Sequence, residues 1–175
     1  SYRSRHTQAI EAFSQALTLN EELRTPGVCA LAAKSCLSTG RLEEADAWCQ
    51  KGLSLQGLNT DSTWSSLKVA SGLIAWFRGQ LPEAETTLQE AWKRREETQV
   101  TPSEVAEIRT GLGLVAHRRD ELDAAELHYQ AALELGEEAH DSARILTSLQ
   151  NLAVIHHQRG AFIEALAAYQ EASAM

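Results

Sequence analysis

Small and large apolar residues recur at helical spacing in five stretches of the chain. Each stretch has an alanine, a larger residue four positions later, and a small residue three positions after that. The five sets are Ala9, Phe13 and Ala16; Ala45, Cys49 and Gly52; Ala84, Leu88 and Ala91; Ala125, Tyr129 and Ala132; and Ala165, Tyr169 and Ala172. Residues three and four apart lie on one face of an α-helix, so each set predicts a helix with an apolar stripe.

A second helix is predicted ahead of four of these stretches, each with a small residue and a turn residue seven positions later. The small residues are Ala33, Gly72, Gly113 and Ala153, and the turn residues are Gly40, Gly79, Asp120 and Gly160. Two helices approach closely only where side chains are small, so these positions predict helix pairs that cross there. The alanines that open successive stretches are 36, 39, 41 and 40 residues apart. Such self-similarity predicts a solenoid of repeated helix pairs.

Turn and capping signals set the expected limits of these helices. We expect helices at about 5–19, 27–39, 41–55, 62–78, 81–97, 102–119 and 121–136, followed by one that begins at about 142 and one that ends at 175. Thr101 and Glu104 form a capping-box signal. The repeats should span about 26–60, 61–100, 101–140 and 141–175 of a single array, after the second helix of an earlier repeat at 1–22. Because neither end has an extra polar helix, we expect a fragment of a larger protein.

The last repeat carries the clearest family signature. Residues 149–172 read Leu-x2-Leu-Ala-x2-His and then Ala-x3-Tyr-x2-Ala, which resembles the W-x2-L-G-x2-Y and A-x3-F pattern of the tetratricopeptide repeat (TPR). The usual early aromatic is replaced by Cys29, Lys68, Arg109 and Leu149. The spacing near 40 residues is similar to that of the long-repeat members found in bacterial regulatory proteins. The resemblance implies an all-α, right-handed superhelical solenoid of about nine helices.

Composition and charge narrow the classes of function. The formal net charge of −8 argues against nucleic-acid binding, which needs a basic face. No apolar run is long enough for a transmembrane helix, and the first residues have no apolar signal core, so we expect a cytoplasmic protein that does not contact a membrane. The three cysteines are interpreted as small apolar core residues rather than a metal or redox site.

Motifs that suggest chemistry lack the context that the chemistry requires. Gly111, Gly113 and Ala116 match a dinucleotide fingerprint, but that motif needs a preceding strand, and here a predicted helix precedes it. His117 and His157 occupy equivalent positions in neighbouring repeats, yet the chain has none of the spacings typical of zinc sites. No catalytic motif occurs. We therefore predict no enzyme activity, no metal and no cofactor.

The family resemblance places a binding groove on the first helices of the repeats. The candidate groove residues are Lys34, Leu37, Val69, Leu73, Trp76, Phe77, Thr110, Leu114, His117, Arg118, Gln150, Val154 and His157. Their apolar members with an Arg, His and Gln edge suit an extended or helical peptide. The alternative is that Trp76 and Phe77 only pack between helices. The carboxylate clamp of chaperone-tail TPRs is not matched, because only Lys34 is basic among the corresponding residues.

These observations predict a scaffold or signalling module that binds a protein or peptide partner through its groove. The alternative is a ligand- or signal-sensing TPR domain of a transcription regulator or signalling ATPase. The apolar face around Phe162, Leu166 and Tyr169 would normally receive another helix. We therefore also expect end-to-end self-association.

Overall fold

The computed structural model describes residues 25–55, 62–97 and 100–174, and all regular structure in these ranges is helical. The eight helices are α1 (Pro26–Ser38), α2 (Leu42–Ser54), α3 (Ser62–Phe77), α4 (Leu81–Arg94), α5 (Pro102–Arg118), α6 (Leu122–Glu138), α7 (Ser142–Gln158) and α8 (Phe162–Ser173). The helix predicted over 5–19 lies outside the described residues. None of these eight helices has both the length and the apolar character needed to cross a bilayer.

Local sequence signals account for where the first helices begin. The Thr101 hydroxyl accepts a hydrogen bond from the Glu104 amide, and the Glu104 carboxylate accepts one from the Thr101 amide. This reciprocal arrangement satisfies two amides that have no partner within the helix, and it confirms the predicted capping box. Asp141 caps α7 by accepting from the amides of Ala143 and Arg144.

The two helices of each hairpin are joined at a residue with positive φ. Gly40, Gly79 and Gly160 have φ values of 77°, 77° and 75°, and Asp120 has 64°. Three of these four turn residues are glycine because a side chain is strained in this backbone region. All four are the turn residues that the sequence pattern predicted. The connection from α6 to α7 uses His140 in the same way, at 52°.

Small residues face large ones at the crossings of the α3–α4 and α5–α6 hairpins. A Cβ atom on Gly113 would lie 2.5 Å from Tyr129 Cε1, and one on Gly72 would lie 2.7 Å from Leu88 Cγ. Neither helix pair could keep its present separation with a larger residue at the glycine. Ala125 is fully buried at the same level of the α5–α6 pair. The predicted pairing of crossing residues is therefore confirmed in the α3–α4 and α5–α6 hairpins.

The interior is divided into three apolar clusters along the chain. The first joins α1, α2 and α3 and holds all three cysteines, which are buried and form no disulfide. The second joins α3, α4 and α5, and the third lies mainly between α5, α6 and α7. Burial raises the pKa of Cys49 to about 11, so this thiol stays protonated and behaves as an apolar core residue. The arrangement is an α-solenoid, in which each helix pair packs mainly on its neighbours.

A repeated ion pair links each hairpin to the one before it. The arginine that follows each later first helix contacts a carboxylate near the start of the preceding second helix. The pairs are Arg78–Asp46 at 2.7 Å, Arg119–Glu85 at 2.7 Å and Arg159–Glu126 at 2.5 Å. Each pair is exposed enough to contribute little stability by itself. Their regular spacing supports a single orientation between successive hairpins.

The limits of α4 and α6 differ from their predictions by more than one residue. Helix α4 was expected to reach 97 and ends at Arg94. Helix α6 was expected to end near 136, but it continues to Glu138. A Cβ atom on Gly136 would lie 3.1 Å from Arg144 Cβ and 3.2 Å from the Ile145 amide nitrogen. Gly136 therefore permits the close approach of α6 to α7 and does not end the helix.

Candidate binding groove

The first helices α1, α3, α5 and α7 pack side by side and form one face of the solenoid. Lys34 of α1 reaches past α3 to Glu107 of α5, with 2.7 Å between Nζ and Oε2. Arg144 of α7 approaches the same carboxylate oxygen at 3.6 Å. Side chains two hairpins apart meet only if this face curves inward, so the first helices line a concave groove. Glu107 neutralises Lys34, which is therefore not an unpaired cation for a partner's carboxylate.

A cleft of about 470 Å³ opens in this groove where α3, α5 and α7 end. It is lined by Trp76, Leu114, His117, Arg118, Asp120, Asn151, Val154 and Gln158. Five of these are candidate groove residues from the sequence: Trp76, Leu114, His117, Arg118 and Val154. The cleft therefore joins an apolar floor to one cationic side chain, Arg118, one anionic side chain, Asp120, and several other polar groups.

Trp76 is the central side chain of the cleft and is held from several sides. Its indole Nε1 donates a hydrogen bond to the Leu114 carbonyl oxygen at 3.0 Å. The Arg118 guanidinium lies 4.7 Å from the ring centroid, and the Phe77 ring meets the indole edge-on at 5.0 Å. Phe77 is 53% exposed. A half-buried, positioned indole next to an exposed aromatic ring is the kind of surface that anchors an apolar side chain.

The histidines of the last two hairpins point to different partners. His117 Nε2 lies 2.9 Å from Gln158 Oε1, whereas the His157 ring packs edge-on against Phe162 at 5.5 Å. His156 faces Glu126 at 3.7 Å. Within the described ranges, no three His, Cys, Asp or Glu side chains are grouped as metal ligands. His117 and His157 therefore do not form a pair of ligands, although they occupy equivalent positions.

The remaining candidate groove residues lie at different depths. Val69 is 2% exposed and belongs to the second apolar cluster, and Thr110 is buried with its hydroxyl bonded to the Ala106 carbonyl oxygen. Leu37 and Leu73 are half-buried against the first and second clusters. Gln150 is exposed but lies outside the lining of the cleft. The groove surface is thus narrower than the full stripe that sequence periodicity indicates.

A second cleft, of about 270 Å³, lies on the opposite face of α5 between α4 and α6. Arg109 stacks on the Trp92 ring, with its guanidinium carbon 3.9 Å from the ring centroid. Its Nη1 lies 3.3 Å from His128 Nδ1. A guanidinium only donates, so His128 Nδ1 accepts here and the imidazole is neutral. Burial and the Arg109 charge both lower the pKa of His128, while burial and then Arg95 lower the pKa of Arg109.

Sequence reasoning did not identify this second cleft. It noted Arg109 only as a departure from the family's aromatic position. A signal was present: a cation occupies a position that the family normally fills with a large packed aromatic side chain. The contacts of that cation, with Trp92 and His128, come from two other helices.

Comparison with known structures shows the same fold in several proteins. BtubC (BKLC) from P. vanneervenii has a TM-score of 0.69 and 21% identity, over 98% of this chain and 73% of that one. A chain of the APC/C hetero-tetramer Cut9-Hcn1 has a TM-score of 0.73 and 20% identity, over 99% of this chain and 31% of that one. MamA has a TM-score of 0.58 and 18% identity, over 98% and 88%. At these identities the likeness shows the fold alone.

Comparison with sequence families gives three matches, each described as a tetratricopeptide repeat. They cover residues 26–57, 69–90 and 104–175, which together are most of the chain. Comparison with curated proteins gave no match. The matched ranges contain α1–α2, the middle of the α3–α4 pair, and α5 to α8. The chain belongs to the tetratricopeptide repeat family.

Proposed function

We propose that the chain is a non-catalytic peptide-binding module that holds an extended or helical segment of a partner protein in its concave groove. The observation that carries the proposal is the cleft around Trp76, which is the largest cleft described above and lies on the concave face. Membership of the TPR family supports a role as a protein-interaction scaffold, and the similar Cut9-Hcn1 structure is itself a protein complex.

The chemistry of the cleft indicates which peptides should bind. Trp76, Leu114 and Val154 provide apolar area for one large side chain of the partner. Arg118 lies on the indole, and His117 and Gln158 form a polar rim beside it. We therefore expect peptides in which an aromatic or aliphatic residue is flanked by an acidic one.

The test is a peptide-library selection on the purified protein, followed by affinity measurement for the selected peptides. Trp76→Ala should weaken binding by about 2 kcal/mol or more, roughly 30-fold, because a central aromatic anchor usually carries this much binding energy. Trp48→Ala is the matched control, since Trp48 is half-buried on α2 and distant in sequence from the cleft. Equal affinity of Trp76→Ala and wild type, with helicity retained, would exclude the groove as the binding site.

The volume of the same cleft favours a second candidate, the ligand-sensing domain of a signal-responsive regulator or signalling ATPase. About 470 Å³ lies within the range that small-molecule sites occupy. Under this alternative, a compact ligand would raise the unfolding temperature of wild type and not of Trp76→Ala, and the peptide library would yield no binder that depends on Trp76.

We also propose a reducing, cytoplasmic location for the chain. Cys29, Cys36 and Cys49 are buried and form no disulfide. Cysteines that persist unpaired are typical of reducing compartments.

An apolar face on α8 supports the further proposal that the chain self-associates end to end. Ile163, Phe162 and Leu166 are 83%, 63% and 57% exposed, and α8 packs mainly on α7. We expect light scattering to show a dimer that forms with rising concentration, and Leu166→Glu should shift it toward monomer. Leu127→Glu is the control, because Leu127 is equally exposed but lies on α6. A monomer at every concentration would contradict the proposal.

A further inference from the structure

We propose that the second cleft, between α4, α5 and α6, is a binding site for a carboxylate group with Arg109 as its cationic partner. This site lies on the face of α5 opposite the concave groove, so the inference is independent of the proposed peptide binding. The cleft has an apolar floor that includes Leu112, Val115 and Ala124. It therefore suits a carboxylate carried on a small apolar body.

The chain contains its own comparison for Arg109. Lys68 occupies the equivalent position in the preceding hairpin, 41 residues earlier, and its Nζ lies 2.8 Å from Glu90 Oε2 on α4. The position equivalent to Glu90 on α6 is Ala131, also 41 residues later. One hairpin therefore supplies a carboxylate for its cation, whereas the next provides only a methyl group in its place.

Arg109 has no carboxylate within ion-pair distance among the described residues. Its Nη1 contacts neutral His128, and its Nε is buried without a hydrogen-bond partner. Another cation, Arg95, also stacks 3.9 Å from the Trp92 ring centroid and lowers the pKa of Arg109, but Arg95 has its own carboxylate partner, Glu96, at 3.2 Å. A half-buried guanidinium that stacks on an aromatic ring and has no carboxylate partner favours an anion from outside, because the anion offsets its charge.

The other charged groups of the cleft do not balance the positive charge of Arg109. Glu85 and Lys93 of α4 line the cleft, and so does Arg119, which directly follows α5. Glu85 and Arg119 pair with each other at 2.7 Å. Glu121 precedes α6 and is exposed at the rim. Lys93 has no ion pair in the described part of the chain, so it adds a second cation near Arg109. The lining therefore carries a surplus of positive charge, although the whole chain is acidic.

Two sources could supply the same carboxylate chemistry, a small organic acid or the carboxyl end of a peptide. A planar guanidinium forms paired hydrogen bonds with a carboxylate from either source. The test therefore uses two probes, 3-phenylpropanoate and a tripeptide with a free carboxyl end and a C-terminal phenylalanine. The corresponding amides are the uncharged controls. Binding is followed by NMR, with the His128 ring signals as the local readout.

Both carboxylates should shift the His128 signals in a saturable way, and the amides should bind at least tenfold more weakly. Tighter binding of the tripeptide would identify a peptide end as the ligand class, and equal or tighter binding of 3-phenylpropanoate would identify a small acid. Failure of both carboxylates to bind would overturn the proposal. Trp76→Ala should leave these affinities unchanged, which separates this site from the groove.

Three variants test where the ligand binds and the role of the missing acid. Ala131→Glu places a carboxylate where Glu90 stands in the preceding hairpin, and it should weaken probe binding at least tenfold while Arg109 remains in place. Ala131→Gln has nearly the same shape without the charge and should bind like wild type. Arg109→Gln should also lose binding. Equal affinity of Ala131→Glu, Ala131→Gln and wild type, in proteins of unchanged helicity, would overturn the proposed position of the ligand.

Discussion

Ala125→Arg is expected to destabilise the chain by about 3 kcal/mol or more, because it forces a long charged side chain into a closed helix crossing. Ala125 is fully buried where α6 crosses α5. The neighbouring Tyr129 ring already occupies the space beside Gly113, so the crossing has no room for further atoms. An unpaired guanidinium there would lose its hydration and gain no partner.

The measurement is urea denaturation followed by helical circular dichroism. Leu127→Arg is the control, since Leu127 is 68% exposed two residues away and its replacement should change stability by less than about 0.5 kcal/mol. Equal midpoints for the two variants would show that Ala125 does not lie at the crossing. The adjacent Ala124 would be a poor control, because it is half-buried and lines the second cleft.

The register of the solenoid could be predicted from sequence because it depends on local rules. Each hairpin requires a small residue, a large residue four positions on and a turn residue at fixed spacing. Gly113 with Tyr129, Gly72 with Leu88, and the positive φ of Asp120 follow from those rules. Every copy repeats the same constraint, so weak signals reinforce one another along the chain.

The composition of the groove could be predicted only in part, because the depth of a residue depends on the rotation of each helix and on its neighbours. One step along a helix turns the side chain by about 100°, so a predicted stripe includes residues at its buried margin. Val69 and Thr110 lie at that margin, whereas Trp76 and Arg118 reach the cleft. The pairing of Lys34 with Glu107 joins residues 73 positions apart, and no local pattern indicates it.

Helix α5 has a different role on each of its faces. One face contributes Leu114, His117 and Arg118 to the groove, and the opposite face contributes Arg109 and Leu112 to the second cleft. Gly113 lies between them at the crossing with α6. A change in the packing of this crossing would therefore alter both clefts together, and the Tyr129 side chain determines that packing.

Replacement of Tyr129 is expected to separate the role of its ring from that of its hydroxyl. The ring is fully buried, so Tyr129→Ala should cost about 3 to 5 kcal/mol through lost burial and the cavity that remains. The hydroxyl is buried without a hydrogen-bond partner in the described structure, and burial raises its pKa. Removing an unsatisfied polar group relieves a desolvation cost, so Tyr129→Phe should leave stability unchanged or raise it by about 1 kcal/mol.

Tyr169 provides the matched comparison, because it occupies the equivalent position on α8 and is 45% exposed. Tyr169→Ala should cost about 1 kcal/mol or less, since much of its ring is already in contact with solvent. The three variants are compared with wild type by urea denaturation at one pH near neutrality. A loss of more than about 1 kcal/mol in Tyr129→Phe would contradict the prediction, because it would mean that the hydroxyl makes a hydrogen bond in solution. Similar losses in Tyr129→Ala and Tyr169→Ala would contradict the placement of Tyr129 as the central packed residue of the α5–α6 crossing.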